Sequence, residues 1–361
     1  MFEIGGDAMK VMVDKSIFEQ YGTNCVPSDS FHDFLMVMET KKSYVLSTDS
    51  TISTDMVQSK LDQIDFFFFS GISSRSVNLP AEAHSSDCVV TVGGETESNN
   101  KRFALTEINE YLNTPAMVIV ENGLNDGWFV RAIMKHFSPE INFEEHLSNN
   151  LVAIDPASGS GASSRVDYHL SVHHNQPKYL RCLAIVDGDK RFPGDTTYGS
   201  YQRQQNLGTY FQSKKVAYHV LEKRTMENYM PDEVYNSHRS VFGNDWVDAY
   251  MRLTEEQKNY YYISVGFLKD VPKAVRKDAN LNKDRTQVQP VAIQTLFSTV
   301  SDADYLVLLN NPHIGGNFKD EFPKYYNDSQ VTKDSLLHRC PRKADGNSEL
   351  EEIAEKIRQL L

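Results

Sequence analysis

A chain of 361 residues, 40% hydrophobic and 24% charged, can bury two or three cores, yet no apolar run comes near the roughly 20 residues that a membrane helix needs. Its 49 acidic and 37 basic residues leave a net charge of −12, which argues against a broad electrostatic grip on nucleic acid and leaves room only for a local one. Cys25, Cys88, Cys182 and Cys340 are scattered without a close pair, so reduced thiols in a cytoplasmic protein are expected rather than disulfides or structural zinc.

The chain opens on MFEIGGDAMKVMVDKSIFEQ, which carries acids and lacks the basic-then-apolar order of a secretion signal. Residues 1–112 mix short apolar runs with Ser/Thr-rich connections such as STDSTISTD (47–55), and they suggest a small α/β or α+β accessory unit with no legible chemistry. Within it IDFFFFSGI (64–72) is expected to be a buried strand, and GGETESNNKR (93–102) a loop or boundary. No internal repeat is visible.

From Thr114 onward the pattern sharpens. AMVIV (116–120), LVAI (151–154), CLAIV (182–186) and KVAYHVL (215–221) are short apolar runs expected to form strands. They alternate with helical patterns in WFVRAIMKHF (128–137) and RVDYHLSVHHN (165–175) and with a polar, Gln-rich stretch. Such alternation predicts an α/β fold with a parallel sheet and helices on its faces, and in such sheets ligands bind beyond the carboxyl ends of the strands. Acids recur there: Glu121 and Asp126 after the first run, Asp187 and Asp189 after the third, Glu222 and Glu227 after the fourth. Two carboxylates about 4 Å apart repel by roughly 4 kcal/mol at an effective dielectric near 20, and they respond by taking up protons or a cation. Oxygen-only ligands suit Mg²⁺, Mn²⁺ or Ca²⁺ better than zinc.

Taken in order, VIVENGLNDGWFV, AIVDGDK and KRTMENYMP resemble the Toprim fold, and more closely the Toprim nucleases of the overcoming-lysogenization-defect family and related bacterial anti-phage effectors. The resemblance covers about residues 114–235. It implies a Rossmann-like Toprim catalytic domain at 113–238, flanked by an accessory region at 1–112 and another at 239–361. It also implies cleavage of DNA, or RNA, assisted by Mg²⁺ or Mn²⁺. Glu121 would be a ligand and general acid or base, Asp187 and Asp189 the main ligands, and Asp126 and Glu227 a second metal position. The usual motif places Gly directly after the Glu and an Asp four residues on; here Asn122 intervenes and Asp126 lies five on, which weakens the role of Asp126. Relatives often carry an ATPase. No G-x-x-x-x-G-K-[ST] occurs here, and GSGASS (159–164) lacks the Lys, so an ATPase or sensor partner would be a separate polypeptide; a homo-oligomer is also allowed.

Other signals are weaker. Lys178, Arg181, Lys190, Arg191, Lys214, Lys215, Lys223 and Arg224 flank the acidic motifs, and KDVPKAVRKDANLNKDR (269–285) is locally positive, with Lys269 and Lys273 as candidates for contacting a scissile phosphate. His169, His173 and His174 show no obvious third ligand and are expected to have a surface or structural role, with a polar contact to DNA as the alternative. Tyr260, Tyr261 and Tyr262 are expected to open a strand with alternate aromatics packed, and water rather than tyrosine is the expected nucleophile. NSELEEIAEKIRQLL (347–361) predicts an N-capped amphipathic helix packed on its own domain. Two other functions fit an Asp-x-Asp after a strand: a nucleotide-sugar transferase, and a non-catalytic metal- and partner-binding subunit.

Overall fold

The computed structural model describes residues 9–41, 44–48, 51–76, 88–92, 101–123, 126–157, 161–173, 176–196, 199–273, 276, 289–309, 321–344 and 346–361. The loop at 93–100, the start of GSGASS, His174 and most of the basic run after Arg276 lie outside them. Two four-stranded, all-parallel sheets flanked by helices make an α/β structure compatible with a Rossmann-like fold. No helix among the described residues is long and apolar enough to cross a membrane.

The first sheet runs β2-β1-β3-β4, from β1 (Lys10–Val13), β2 (Val45–Thr48), β3 (Cys88–Val90) and β4 (Lys101–Phe103). Helices α1 (Ser28–Thr40) and α2 (Gln63–Ser76) pack together over its core of Val11, Val13, Phe31, Phe34 and Leu35. Here two expectations are corrected. The FFFF segment is the helix α2, not a strand: Asp65, Phe69 and Ile72 are buried at helical spacing while Ile64 and Phe67 face solvent. Buried Asp65 is satisfied by the Tyr21 hydroxyl at 2.7 Å and His32 Nδ1 at 2.8 Å. Lys101 and Arg102, placed in the boundary loop, belong to β4.

Helix α3 (Leu105–Asn113) leads into the second sheet, ordered β6-β5-β7-β8, from β5 (Ala116–Val120), β6 (Val152–Pro156), β7 (Cys182–Val186) and β8 (Ala217–Val220). These are the four expected strands. β5 and β7 are buried along their whole length, as central parallel strands covered on both faces should be. Alternate residues serve different cores. Ala116, Val118, Val120, Leu183 and Ile185 face one side with Phe129 and Ile133 of α4 (Asp126–Phe137). Met117, Ile119, Cys182, Ala184 and Val186 face the other with Val166 of α5 (Ala162–Val172) and Phe211 of α6 (Gly199–Ser213). Each buried Val, Leu, Ile, Phe or Met among them contributes about 1.5–3 kcal/mol through its removal from water.

The remaining segments join the α4 face. Trp246 and Tyr250 of α7 (Asn244–Met251) and Leu350, Ile353 and Ile357 of α9 (Glu349–Arg358) share its core. Between them α8 (Glu255–Tyr260) is followed by a 3₁₀ turn at Gly266–Asp270, so the expected aromatic strand at 260–270 is absent from those described residues. Tyr261 instead caps α8 and is buried, its hydroxyl donating to the Leu308 carbonyl at 2.8 Å. The amphipathic C-terminal helix is as expected, with Ser348 Oγ accepting from the Glu351 N–H at 3.2 Å and the Glu351 carboxylate accepting from the Ser348 N–H at 2.8 Å.

Candidate metal centre

Strands β5 and β7 are neighbours, with Ile119 opposite Ala184. Their onward connections diverge, α4 to one face and α6 to the other. This is the switch point of the sheet, where the loops part and open a crevice. Glu121 follows β5 and Asp187 follows β7, so the two acids begin the loops on either side of it.

The Asp-Gly-Asp segment is pinned by backbone. A Cβ on Gly188 would lie 2.2 Å from the Lys223 carbonyl oxygen and 2.3 Å from that of Leu221, so only glycine lets the loop press against the exit of β8. The Asp189 N–H donates to the Arg224 carbonyl at 2.8 Å, and Asp189 holds φ at +54, in the left-handed region that non-glycine residues seldom occupy. Asp187 Oδ1 accepts from the Met226 N–H at 3.2 Å, and Asp189 Oδ2 from Gln204 Nε2 at 3.3 Å.

The ENY residues divide the labour. Asn228 is fully buried: its Oδ1 accepts from the Thr225 N–H at 2.9 Å and its amide donates to the carbonyls of Lys258 and Tyr261 at 2.7 and 2.8 Å. The Tyr229 hydroxyl donates to Glu349, which also accepts from His219 Nε2 at 2.8 Å and the Glu222 N–H at 2.7 Å. This frame fixes the turn and leaves Glu227 half-exposed. Glu222, by contrast, faces solvent in an ion pair with Lys343. Asp126 opens α4 and accepts from the Asn122 N–H at 2.7 Å.

Glu121, Asp126, Asp187, Asp189 and Glu227 are all half-exposed. Asp187 keeps some exposure while protein packs densely around it. Burial holds its carboxyl well above the usual carboxylate range, reinforced by the charges of Glu227, Glu121, Asp126 and Asp189. The acids of three strand ends therefore act on one group. They do so at the range of mutual repulsion: among the described residues no three His, Cys, Asp or Glu side chains are gathered closely enough to hold an ion as placed.

No family model, curated protein or solved structure matches the chain. What ties the carboxylates together is the influence of their charges on Asp187.

Of the basic residues flanking the acids, Arg181, Lys223 and Arg224 are buried rather than on a solvated surface. Arg224 is buried and forms a fork to Asp270 at 2.9 and 2.7 Å, while buried Lys223 donates to the Asn228 carbonyl at 3.2 Å. Arg181 is buried too, donating to the Tyr44 hydroxyl at 2.8 Å and the Leu360 carbonyl at 2.8 Å. Arg191 is paired with Asp195 at 2.8 Å. These cations hold the fold rather than line a surface for a polyanion. The histidines are structural as expected: His169 Nε2 meets Asp155 at 2.7 Å, and His173 Nδ1 meets Glu110 at 2.9 Å.

Three residues of the site have no motif to mark them. Tyr262 lies between the Arg224 guanidinium, 4.8 Å from its ring centre, and the Lys269 ammonium, at 4.6 Å. Burial, then the charges of Glu227 and Asp187, hold its hydroxyl above the usual phenol range. Tyr326 donates to the Met226 carbonyl beneath Glu227. Gln204 sits on α6 inside the Gln-rich stretch, where one glutamine looks like the next.

Proposed function

We propose that the chain is a Mg²⁺- or Mn²⁺-dependent nuclease of the Toprim kind, hydrolysing phosphodiester bonds of DNA, or of RNA, at the C-terminal edge of the second sheet. What supports this reading is that the charges of acids following β5, β7 and β8 all raise the carboxyl of Asp187 beside the switch point. The donor set fits the group in kind. It is all oxygen, which suits hard divalent cations, and four neighbouring charges crowd Asp187, a repulsion that a cation relieves. Asp187, Asp189 and Glu121 would hold the first ion, Asp126 and Glu227 a second. Such an ion supplies polarisation of a phosphoryl oxygen and a water acidified toward neutrality.

The chain's own residues supply the rest. The turn at Met226–Tyr229 and the Gly188 backbone orient the acids, and Glu121 can hold or give a proton. Lys269, seated over Tyr262, and exposed Lys273 are the candidates for binding the phosphate. Action as a cytoplasmic anti-phage effector restrained by a separately encoded ATPase or sensor, alone or as a homo-oligomer, belongs to the same proposal by resemblance. A nucleotide-sugar transferase would need Asp187 and Asp189 but not Glu121 and Glu227, so their convergence favours the nuclease.

Plasmid nicking by purified protein in Mg²⁺, Mn²⁺ and EDTA tests it. Metal-dependent nicking lost in both Asp187→Ala and Glu121→Ala, with the melting temperature retained, is expected. Nicking that persists in both, or is absent with every metal, overturns the reading.

A further inference from the structure

Each aspartate of the Asp-Gly-Asp segment has one carboxylate oxygen held and one left over. Asp187 Oδ1 accepts from the Met226 N–H at 3.2 Å, and Asp189 Oδ2 accepts from Gln204 Nε2 at 3.3 Å. Asp187 Oδ2 and Asp189 Oδ1 have no hydrogen-bond partner among the described residues, and both side chains belong to half-exposed residues. An oxygen engaged by an N–H is turned toward it, so a carboxylate held in this way offers a cation its other oxygen.

The two holds differ in kind. The Met226 N–H belongs to the backbone of the Met226–Tyr229 turn, which Asn228 braces from within, so the grip on Asp187 comes from the fold itself. The grip on Asp189 comes from one side chain. The tight passage at Gly188, the φ of +54 and the N–H bond to the Arg224 carbonyl at 2.8 Å already fix the Asp189 backbone. What remains free is rotation of the carboxylate about its own side-chain bonds, and Gln204 opposes that rotation. Gln204 is only 6% exposed, and Leu207 and Phe211 of the same helix α6 are buried against the sheet, so a rigid element carries the amide. The loop after Asp189 is braced too, with the Arg191 N–H and Nε donating to buried Asp195 at 3.2 and 2.8 Å.

One oxygen per carboxylate does not suit all hard cations equally. Ca²⁺ gathers about six to eight oxygens in a flexible shell and often takes both from one carboxylate, whereas Mg²⁺ demands a near-ideal octahedron and takes few protein oxygens. We infer that Gln204 is a positioning residue that sets the ion preference of the carboxylate site: by holding Asp189 Oδ2 it confines Asp189 to one oxygen and favours Mg²⁺ over Ca²⁺. The inference rests on the divalent-cation part of the nuclease reading. Gln204 acts through Asp189 and needs no contact with substrate.

The test is calorimetric titration of the full chain with MgCl₂ and, separately, CaCl₂, without nucleic acid. Gln204→Met keeps the side-chain volume and removes the donor, and Gln204→Asn is a second variant that draws the amide back by one methylene. Gln205→Met, at the exposed neighbouring position, controls for loss of an amide from the same helix. Wild-type protein should bind Mg²⁺ more tightly than Ca²⁺. In Gln204→Met and Gln204→Asn that preference should fall by about tenfold or more, and in Gln205→Met it should be unchanged. A merely structural role would weaken both ions alike and leave their ratio where it was. An unchanged ratio in the folded Gln204 variants, or an equal fall in Gln205→Met, overturns the inference. So does wild-type protein that binds Ca²⁺ at least as tightly as Mg²⁺, or neither ion, a comparison that needs no variant to fold. If the ratio shifts as expected and no metal supports plasmid nicking, the nuclease reading falls and the role of Gln204 stands. If nicking depends on Mg²⁺ while the ratio is unchanged, the nuclease reading stands and the role of Gln204 falls.

Discussion

Substituting Gly188 by alanine tests the frame of the carboxylate cluster most directly. The added Cβ would lie 2.2 and 2.3 Å from two carbonyl oxygens, where contacts under 3.0 Å are essentially never tolerated, so the loop must retreat by at least about 0.8 Å. Both oxygens belong to backbone on the exit of β8 and cannot swing aside. The retreat strains or breaks the Asp189 N–H bond to the Arg224 carbonyl and the Met226 N–H bond to Asp187. Overpacking costs about 1–3 kcal/mol and each lost bond about 1 kcal/mol, so the total is about 3–5 kcal/mol. For one cooperative unit of this length that is a fall in melting temperature of about 5 °C. Calorimetry of the metal-free protein measures it, and nicking at a temperature where the variant remains folded should drop more than about tenfold, because both aspartates move together. A Gly188→Ala protein with unchanged melting temperature and unchanged nicking would refute the close approach of the two loops.

Asp187→Asn relieves the crowding of acids while keeping the acceptor for the Met226 N–H, so the variant should melt higher than wild type in EDTA and lose any Mg²⁺-induced thermal shift. A less stable variant would contradict the crowding. Arg224→Met strands buried Asp270 without its partner and should cost about 3–5 kcal/mol in urea unfolding; weakened nucleic-acid binding at full stability would instead make Arg224 a surface contact. Glu351 is held down to about 2 by its hydrogen bond from Arg342, aided by the Ser348 N–H. A lowered carboxylate stabilises the fold above its ordinary range, and that contribution is lost as pH falls toward the lowered value. Glu351→Gln should therefore cost at most about 1 kcal/mol at neutral pH after solvent screening, and the gap between variant and wild-type unfolding midpoints should narrow from about pH 5 to pH 3.

The second sheet was legible because each of its strands is a short apolar run bounded by polar turns, and because its acids stand directly at the strand ends. The first sheet was not. Its strands are three or four residues long, and α2 mimics a strand because its four consecutive phenylalanines mask the helical spacing of those that are buried. Nor did any repeat in the residues signal that both sheets share one strand order, since topology is set by where apolar faces fall and not by matching letters. The basic residues misled for a related reason. Charge in a sequence carries no burial, and Arg181, Lys223 and Arg224 are drawn inside by carbonyl and carboxylate partners tens of residues away.

Glu349 has a consequence for how the protein matures. It grips His219, the Glu222 backbone and Tyr229 across separations of 130, 127 and 120 residues, so the turn that presents Glu227 gains part of its frame only when α9 has docked. Contacts so distant along the chain form late. A nascent or clipped fragment that ends before α9 would carry every one of these acids but lack the carboxylate that ties their turn to the rest of the domain, so the last helix acts as a closing clasp.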